Sequence, residues 1–88
     1  MDLDEIRRLA SSSSSCTVDG EVDRDVIDDY AGKYPITDDL SGDELRVWNE
    51  LTGDDRAYID ADRAYYGSRI NGKITFHDIL GIRMVDGR

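Results

Sequence analysis

The sequence predicts a mainly α fold: a small helical bundle of about five short helices, with a minor β-hairpin or two-stranded ladder around residues 17–22 and 68–75. Three observations carry this. A helix-start pattern recurs four times, glycine and proline follow at helical lengths, and two turn dipeptides sit between aliphatic residues.

The helix-start pattern is a capping residue with an apolar neighbour before it and another apolar residue four positions after it, the arrangement of a hydrophobic staple. Leu40-Ser41-x-x-Glu44-Leu45 has the full set: Ser41 is expected to cap, Glu44 to reach back, and Leu40 to meet Leu45. Met1-Asp2-x-x-Glu5-Ile6, Val22-Asp23 with Ile27, and Ile74-Thr75 with Asp78 and Ile79 repeat it. Gly32 and Gly53 stand where a left-handed residue ends a helix, Gly67 is a third candidate stop, and Pro35 forces Tyr34 out of the helical region. Helices are therefore expected near 2–10, 23–31, 41–52, 54–66 and 75–80.

The dipeptide Asn71-Gly72, between Ile70 and Ile74, favours a two-residue hairpin loop, and Asp19-Gly20 between Val18 and Val22 is its counterpart. The two stretches align, each running into a capped helix, so Val22 and Ile74 are expected to face each other in a short ladder. Residues 82–85 fit either a longer last helix or a strand.

Leu45, Trp48 and Leu51 form one stripe of the third helix, with Val47 beside it. The expected core joins Leu40, Leu45, Trp48 and Leu51 to Tyr58, Ala61 and Tyr65, the third and fourth helices folding back about Gly53. The fourth helix has two part-apolar stripes. One holds Ala57, Tyr58, Ala61, Ala64 and Tyr65; the other holds Ile59, Asp62, Arg63 and Tyr66. With the first turned inward, the second is expected to face solvent.

At 88 residues the chain is expected to form one domain, 1–88, with Ser11–Ser15 and Cys16 as a mobile connector at 11–16. Cys16 is the only cysteine and His77 the only histidine, so neither an internal disulfide nor a Cys/His zinc site is expected. The acidic start is unlike a signal peptide, and no apolar run approaches the ~20 residues of a membrane span. The expected compartment is the cytoplasm, a host's cytoplasm if the source is viral.

Charge is the main functional signal. The chain carries 20 acids against 11 bases, a net charge of −9. Residues 1–66 hold 18 acids and 7 bases, whereas residues 67–88 hold only Asp78 and Asp86 against Arg69, Lys73, Arg83 and Arg88. Such a field repels nucleic acid and anionic membrane and draws cationic surfaces. Of the acids 16 are Asp and of the bases 9 are Arg, a bias that a salt-adapted or arginine-rich source also produces.

Catalytic constellations are missing. Neither Cys16 nor the serine run has a general base near it in sequence. Asp60 and Asp62, two apart on a helix, point ~200° apart and cannot share a metal. Counting Gly20 and Gly72 as the sixth position of calcium loops puts Val26 where the bidentate acid belongs in the first and Arg69 at a ligand position in the second. The expectation is no enzyme, no cofactor and no metal.

The acids in excess of helix capping (Asp28, Asp29, Asp38, Asp39, Asp60 and Asp62) lie near Tyr30, Tyr34, Tyr58, Tyr65 and Tyr66. Carboxylates and tyrosine rings together can imitate phosphates and bases. In size, composition and lack of catalytic motifs the chain resembles, as a class, phage-encoded DNA-mimic inhibitors (anti-restriction and anti-CRISPR proteins) and acidic immunity proteins. That resemblance implies a small non-catalytic inhibitor, a monomer or small homo-oligomer. It would occupy the basic surface of a nucleic-acid-binding enzyme or effector complex, with no direct contact to nucleic acid or membrane. The expected contact residues are Asp55, Ile59, Asp62, Arg63 and Tyr66, with Asp28, Asp29 and Asp60. The alternative is a degenerate EF-hand-like adaptor without calcium, its acidity inherited from its source.

Overall fold

The structure is a computed structural model that describes residues 2–11 and 23–85. Apart from Ser11, the expected connector lies outside the described residues, as does the 17–22 arm of the expected ladder. Five α-helices stand in the described residues: α1 (Leu3–Ala10), α2 (Arg24–Lys33), α3 (Gly42–Glu50), α4 (Gly53–Ile70) and α5 (Phe76–Val85), with a 3-10 turn at Ile36–Asp39. α1 packs on α3 and α5, α5 on α4, and α4 on α2. α1, α4 and α5 thus each pack on two other helices, and α2 and α3 are the outer elements.

Three of the four helix starts cap as the sequence implies. Asp2 accepts from the Glu5 amide at 2.8 Å, and Asp23 accepts from the Asp25 amide at 3.2 Å. Thr75 and Asp78 form the full reciprocal box at 3.1 and 3.0 Å. The fourth does not close. Ser41 makes no side-chain cap, because Gly42 enters the helix with a φ of +58°, and Glu44 faces His77 at 3.4 Å instead of reaching back. α4 has a cap the sequence reading missed, Thr52 accepting from the Asp55 amide at 3.2 Å.

The expected stops at Gly32, Gly53 and Gly67 are corrected. α2 runs on to Lys33 and yields to the extended residue that Pro35 demands. α3 ends at Glu50, with Leu51 as its cap, and Gly53 opens α4. α4 passes through Gly67 to Ile70.

No strand occurs among the described residues, so the 68–75 arm of the hairpin is corrected as well. Asn71 does adopt the left-handed conformation (φ 54°, ψ 48°), but as the end of α4, and the Asn71 and Gly72 amides both return to the Gly67 carbonyl. Asn-Gly suits a hairpin and a helix end equally, since both need positive φ. Tertiary contact decides between them. The Tyr30 hydroxyl accepts from the Ile74 amide at 2.6 Å and donates to the Gly72 carbonyl at 2.9 Å, occupying backbone groups a ladder would use. Residues 82–85 continue α5.

The core gathers Ile6, Leu9, Val47, Trp48, Ile59, Phe76 and Leu80, with Leu40 and Leu51 against it. Trp48 meets Phe76 edge-on at 5.8 Å, as a buried aromatic pair should. Leu45, expected inside, is exposed, and Tyr58 and Tyr65 are half-buried.

Candidate functional site

The packing of α2 on α4 builds a face that carries Asp28, Asp54 and Asp60. A groove of about 550 Å³ runs between the helices, lined by Arg24, Ile27 and Asp28 from α2 and by Asp54, Ala57, Tyr58, Asp60 and Ala61 from α4. Residues 24, 27 and 28, and residues 54, 57, 58 and 61, fall at the three- and four-residue steps that share one helix face. The alanines keep the floor low, and Tyr58 supplies a half-buried ring on one wall.

Asp60 accepts from Arg63, whose Nη1 lies 3.0 Å from Oδ1. Burial nevertheless pushes the Asp60 carboxyl above the usual aspartate range. The charge of Asp28 across the groove adds to the rise, against the pull of Arg63. Asp28 and Asp60 thus line the same groove.

Most other described acids have structural work. Asp2, Asp23 and Asp78 cap helices, and Asp39 holds Lys73 at 2.8 Å. Glu50 grips Arg7 at 2.9 Å, which lowers the glutamate and raises the arginine. Asp25, Asp54 and Asp55 sit in first turns, where the helix dipole favours them. Asp28 and Asp29 have neither reason. They occupy the middle of α2, where aspartate is a poor helix former, and both are exposed.

The eight expected contact residues divide. Asp28 and Asp60 line the groove, together with Asp54, Tyr58 and Ile27, which the sequence reading left out of its contact set. Asp29 is exposed in the adjoining depression beside Tyr30, Lys33 and Asn71. Asp55 and Tyr66 are half-buried, the Tyr66 ring standing edge-on to Tyr65 at 5.0 Å. Ile59, Asp62 and Arg63 are corrected: all three are buried, at 0%, 2% and 0% exposure. The stripe expected to face solvent is an interior face.

The reason lies in three arginines. Arg83 of α5 reaches Asp62 and also donates to the Leu9 and Ala10 carbonyls, at 2.8 and 3.1 Å, at the end of α1. Arg63 donates to the Ile74 carbonyl at 2.8 Å and to the Tyr34 carbonyl at the end of α2. Arg56 donates to the Trp48 carbonyl at the end of α3 through Nε and Nη2, at 3.2 and 2.9 Å, and lies over the Trp48 ring. A guanidinium thus meets the last turn of each of the first three helices; at α3 the Trp48 carbonyl also accepts from the Leu51 amide.

The EF-hand-like loop of the alternative reading is not formed at Gly72. Gly67 and Arg69, its would-be ligand positions, are inside α4, and only Asn71–Thr75 join α4 to α5. Among the described residues no three His, Cys, Asp or Glu side chains gather as a metal site, and no helix is long and apolar enough to cross a membrane. Comparison with protein-family models, with curated proteins and with solved structures found no match.

Proposed function

We propose that this chain is a small, non-catalytic inhibitor that covers a basic, nucleic-acid-handling surface of a partner protein. The observation that carries the proposal is the α2–α4 groove. There Asp28, in the middle of α2, lines the same groove as Asp54, Asp60 and the Tyr58 ring, with Arg24 also on it. Asp60 is already paired with Arg63, whereas Asp28 is exposed on the groove, where a guanidinium or ammonium group of a partner can meet it. A tyrosine beside them offers the partner a flat, partly apolar surface, as nucleobases do. The net charge of −9 makes approach to such a partner fast and salt-sensitive.

Affinity capture from lysate, followed by competition with the captured protein's own DNA or RNA, tests this. The expected result is a nuclease, effector complex or other nucleic-acid-binding protein that releases its nucleic acid on binding. Capture of neutral or acidic proteins alone, or a partner that holds its nucleic acid undisturbed, overturns it.

A further inference from the structure

Asn71-Gly72 has a chemistry of its own besides its turn geometry. A glycine nitrogen has no side chain crowding it, so it can attack the carboxamide carbon of the asparagine before it. Asn49, the only other asparagine, precedes Glu50, whose side chain crowds that attack. Asn71 is exposed where α4 ends, within reach of water. The backbone decides whether the folded chain permits the reaction.

In the closed turn it is blocked. Asn71 holds φ 54° and ψ 48°, left-handed values that asparagine tolerates. At that ψ the Gly72 nitrogen stands almost opposite the Asn71 Cβ across the Cα–C bond, as far from the side-chain carbon as the bond allows. The Gly72 amide also donates to the Gly67 carbonyl at 3.0 Å, and the Asn71 amide returns to the same oxygen. Tyr30 holds the next stretch, its hydroxyl donating to the Gly72 carbonyl at 2.9 Å and accepting from the Ile74 amide at 2.6 Å. The Tyr30 ring is buried, seated where Gly67 has no side chain. To bring the nitrogen onto the Cβ side, ψ of Asn71 must turn. That breaks the bond from Gly72 to Gly67 and carries the Gly72 carbonyl off Tyr30.

We infer that Asn71 is a modification site under the control of Tyr30: it deamidates when the Tyr30 clamp opens and is protected while the clamp is closed. In the open turn the Gly72 nitrogen bonds to Asn71 Cγ. Its proton passes through solvent to the side-chain nitrogen, which leaves as ammonia. Water then opens the cyclic imide at either carbonyl, giving aspartate or a β-linked isoaspartate. Both products add a negative charge, and isoaspartate also adds a carbon to the main chain inside the turn. The longer turn no longer offers the Gly72 carbonyl and the Ile74 amide to Tyr30 together. The opening is thereby fixed covalently, and α2 loses its hold on the joint between α4 and α5. A local opening of this kind costs less than global unfolding. The inference does not depend on what the α2–α4 groove binds.

Storage of the purified protein in mildly alkaline buffer, followed by peptide mapping and enzymatic methylation of isoaspartate, provides the test. Wild type unfolded in urea is expected to convert Asn71 at least about tenfold faster than the folded protein, because only the opened fraction reacts. Tyr30→Phe is expected to convert it at least about threefold faster than folded wild type, since the lost hydroxyl raises that fraction. Ile6→Val, a core change on α1, is expected to react as wild type does. In wild type at low urea, the Asn71 rate and hydrogen exchange at the Ile74 amide are expected to rise together before the chain unfolds. Folded wild type that reacts as fast as the unfolded chain overturns the inference, as does an unfolded chain that keeps Asn71 intact. So does a Phe variant no faster than Ile6→Val. Should the Phe variant not fold, the urea series decides, and an Asn71 rate that follows global unfolding alone overturns the inference.

Discussion

Arg83 holds Asp62 through a single carboxylate oxygen: its Nε and Nη2 lie 3.1 and 2.9 Å from Oδ2, and both side chains are buried. The same guanidinium closes the end of α1, so one side chain joins α1, α4 and α5. A charge taken this far from water is tolerated only where its partner and its remaining donors are satisfied together.

Replacing Arg83 by Met removes the charge that balances Asp62 and the donor that serves Leu9 and Ala10. The expected loss is about 3–5 kcal/mol, enough to unfold much of a domain this small. Adding Asp62→Leu is expected to return at least about 1 kcal/mol, because a pair replaced by apolar groups leaves no buried charge. Urea unfolding of the two variants measures both. A single variant within about 1 kcal/mol of wild type shows that the pair is not a strut.

Tyr30 makes a separate prediction. Its hydroxyl bridges the Ile74 amide and the Gly72 carbonyl, while burial holds the phenol above its ordinary range. Tyr30→Phe keeps the ring and is expected to cost about 1–3 kcal/mol, with faster hydrogen exchange at the Ile74 amide. Gly67→Ala is expected to cost more, since a Cβ there overlaps the Tyr30 ring. Unchanged exchange at Ile74 in the Phe variant removes the hydroxyl from this role.

The groove carboxylates predict a pH effect whose sign follows from burial. Asp60 is raised in the folded protein, so the folded state holds its proton to higher pH than the unfolded chain does. Stability from this group is present below the ordinary aspartate range and is lost as pH rises through the raised value. Asp28→Asn removes one cause of the rise. Asp60 is then expected to titrate lower, read by carboxyl carbon NMR, with a shallower loss of stability across that window. An Asp60 titration indifferent to Asp28 means the two charges do not share the groove.

Local chemistry made much of this fold legible. Three helix caps and the Trp48 core position were readable because each depends on neighbours a turn away. The extent of α4 was not. Asn71-Gly72 specifies positive φ without saying whether a strand or a helix precedes it, and Tyr30, more than forty residues distant, settles the matter. The inward turn of Asp62 and Arg63 was hidden for a related reason. Counting apolar neighbours found too few for both faces of α4, whereas the neighbours are Arg83 and backbone carbonyls, which hydrophobic patterning does not register. The excess of arginine over lysine was the available signal, because forked donors can end three helices where lysines cannot.

These positions separate a binding surface from an interior one in a single experiment. Asp28→Lys with Asp54→Lys changes two side chains on the α2–α4 groove, and both positions are exposed. The double variant is expected to keep its thermal midpoint within a few degrees, since surface changes of this kind usually stay within about 0.5 kcal/mol. Its affinity for a basic partner is expected to fall by at least about 2 kcal/mol, the scale of an interface hot spot, with most of the early loss in the association rate. Wild-type association is expected to slow as salt rises, and that of the variant much less. Asp62→Lys puts a positive charge against buried Arg83 and is expected to unfold the protein before any partner is met. If the groove variant binds as wild type does, with the same salt dependence, the acidic face of α2 and α4 is a solvated surface and the partner lies elsewhere.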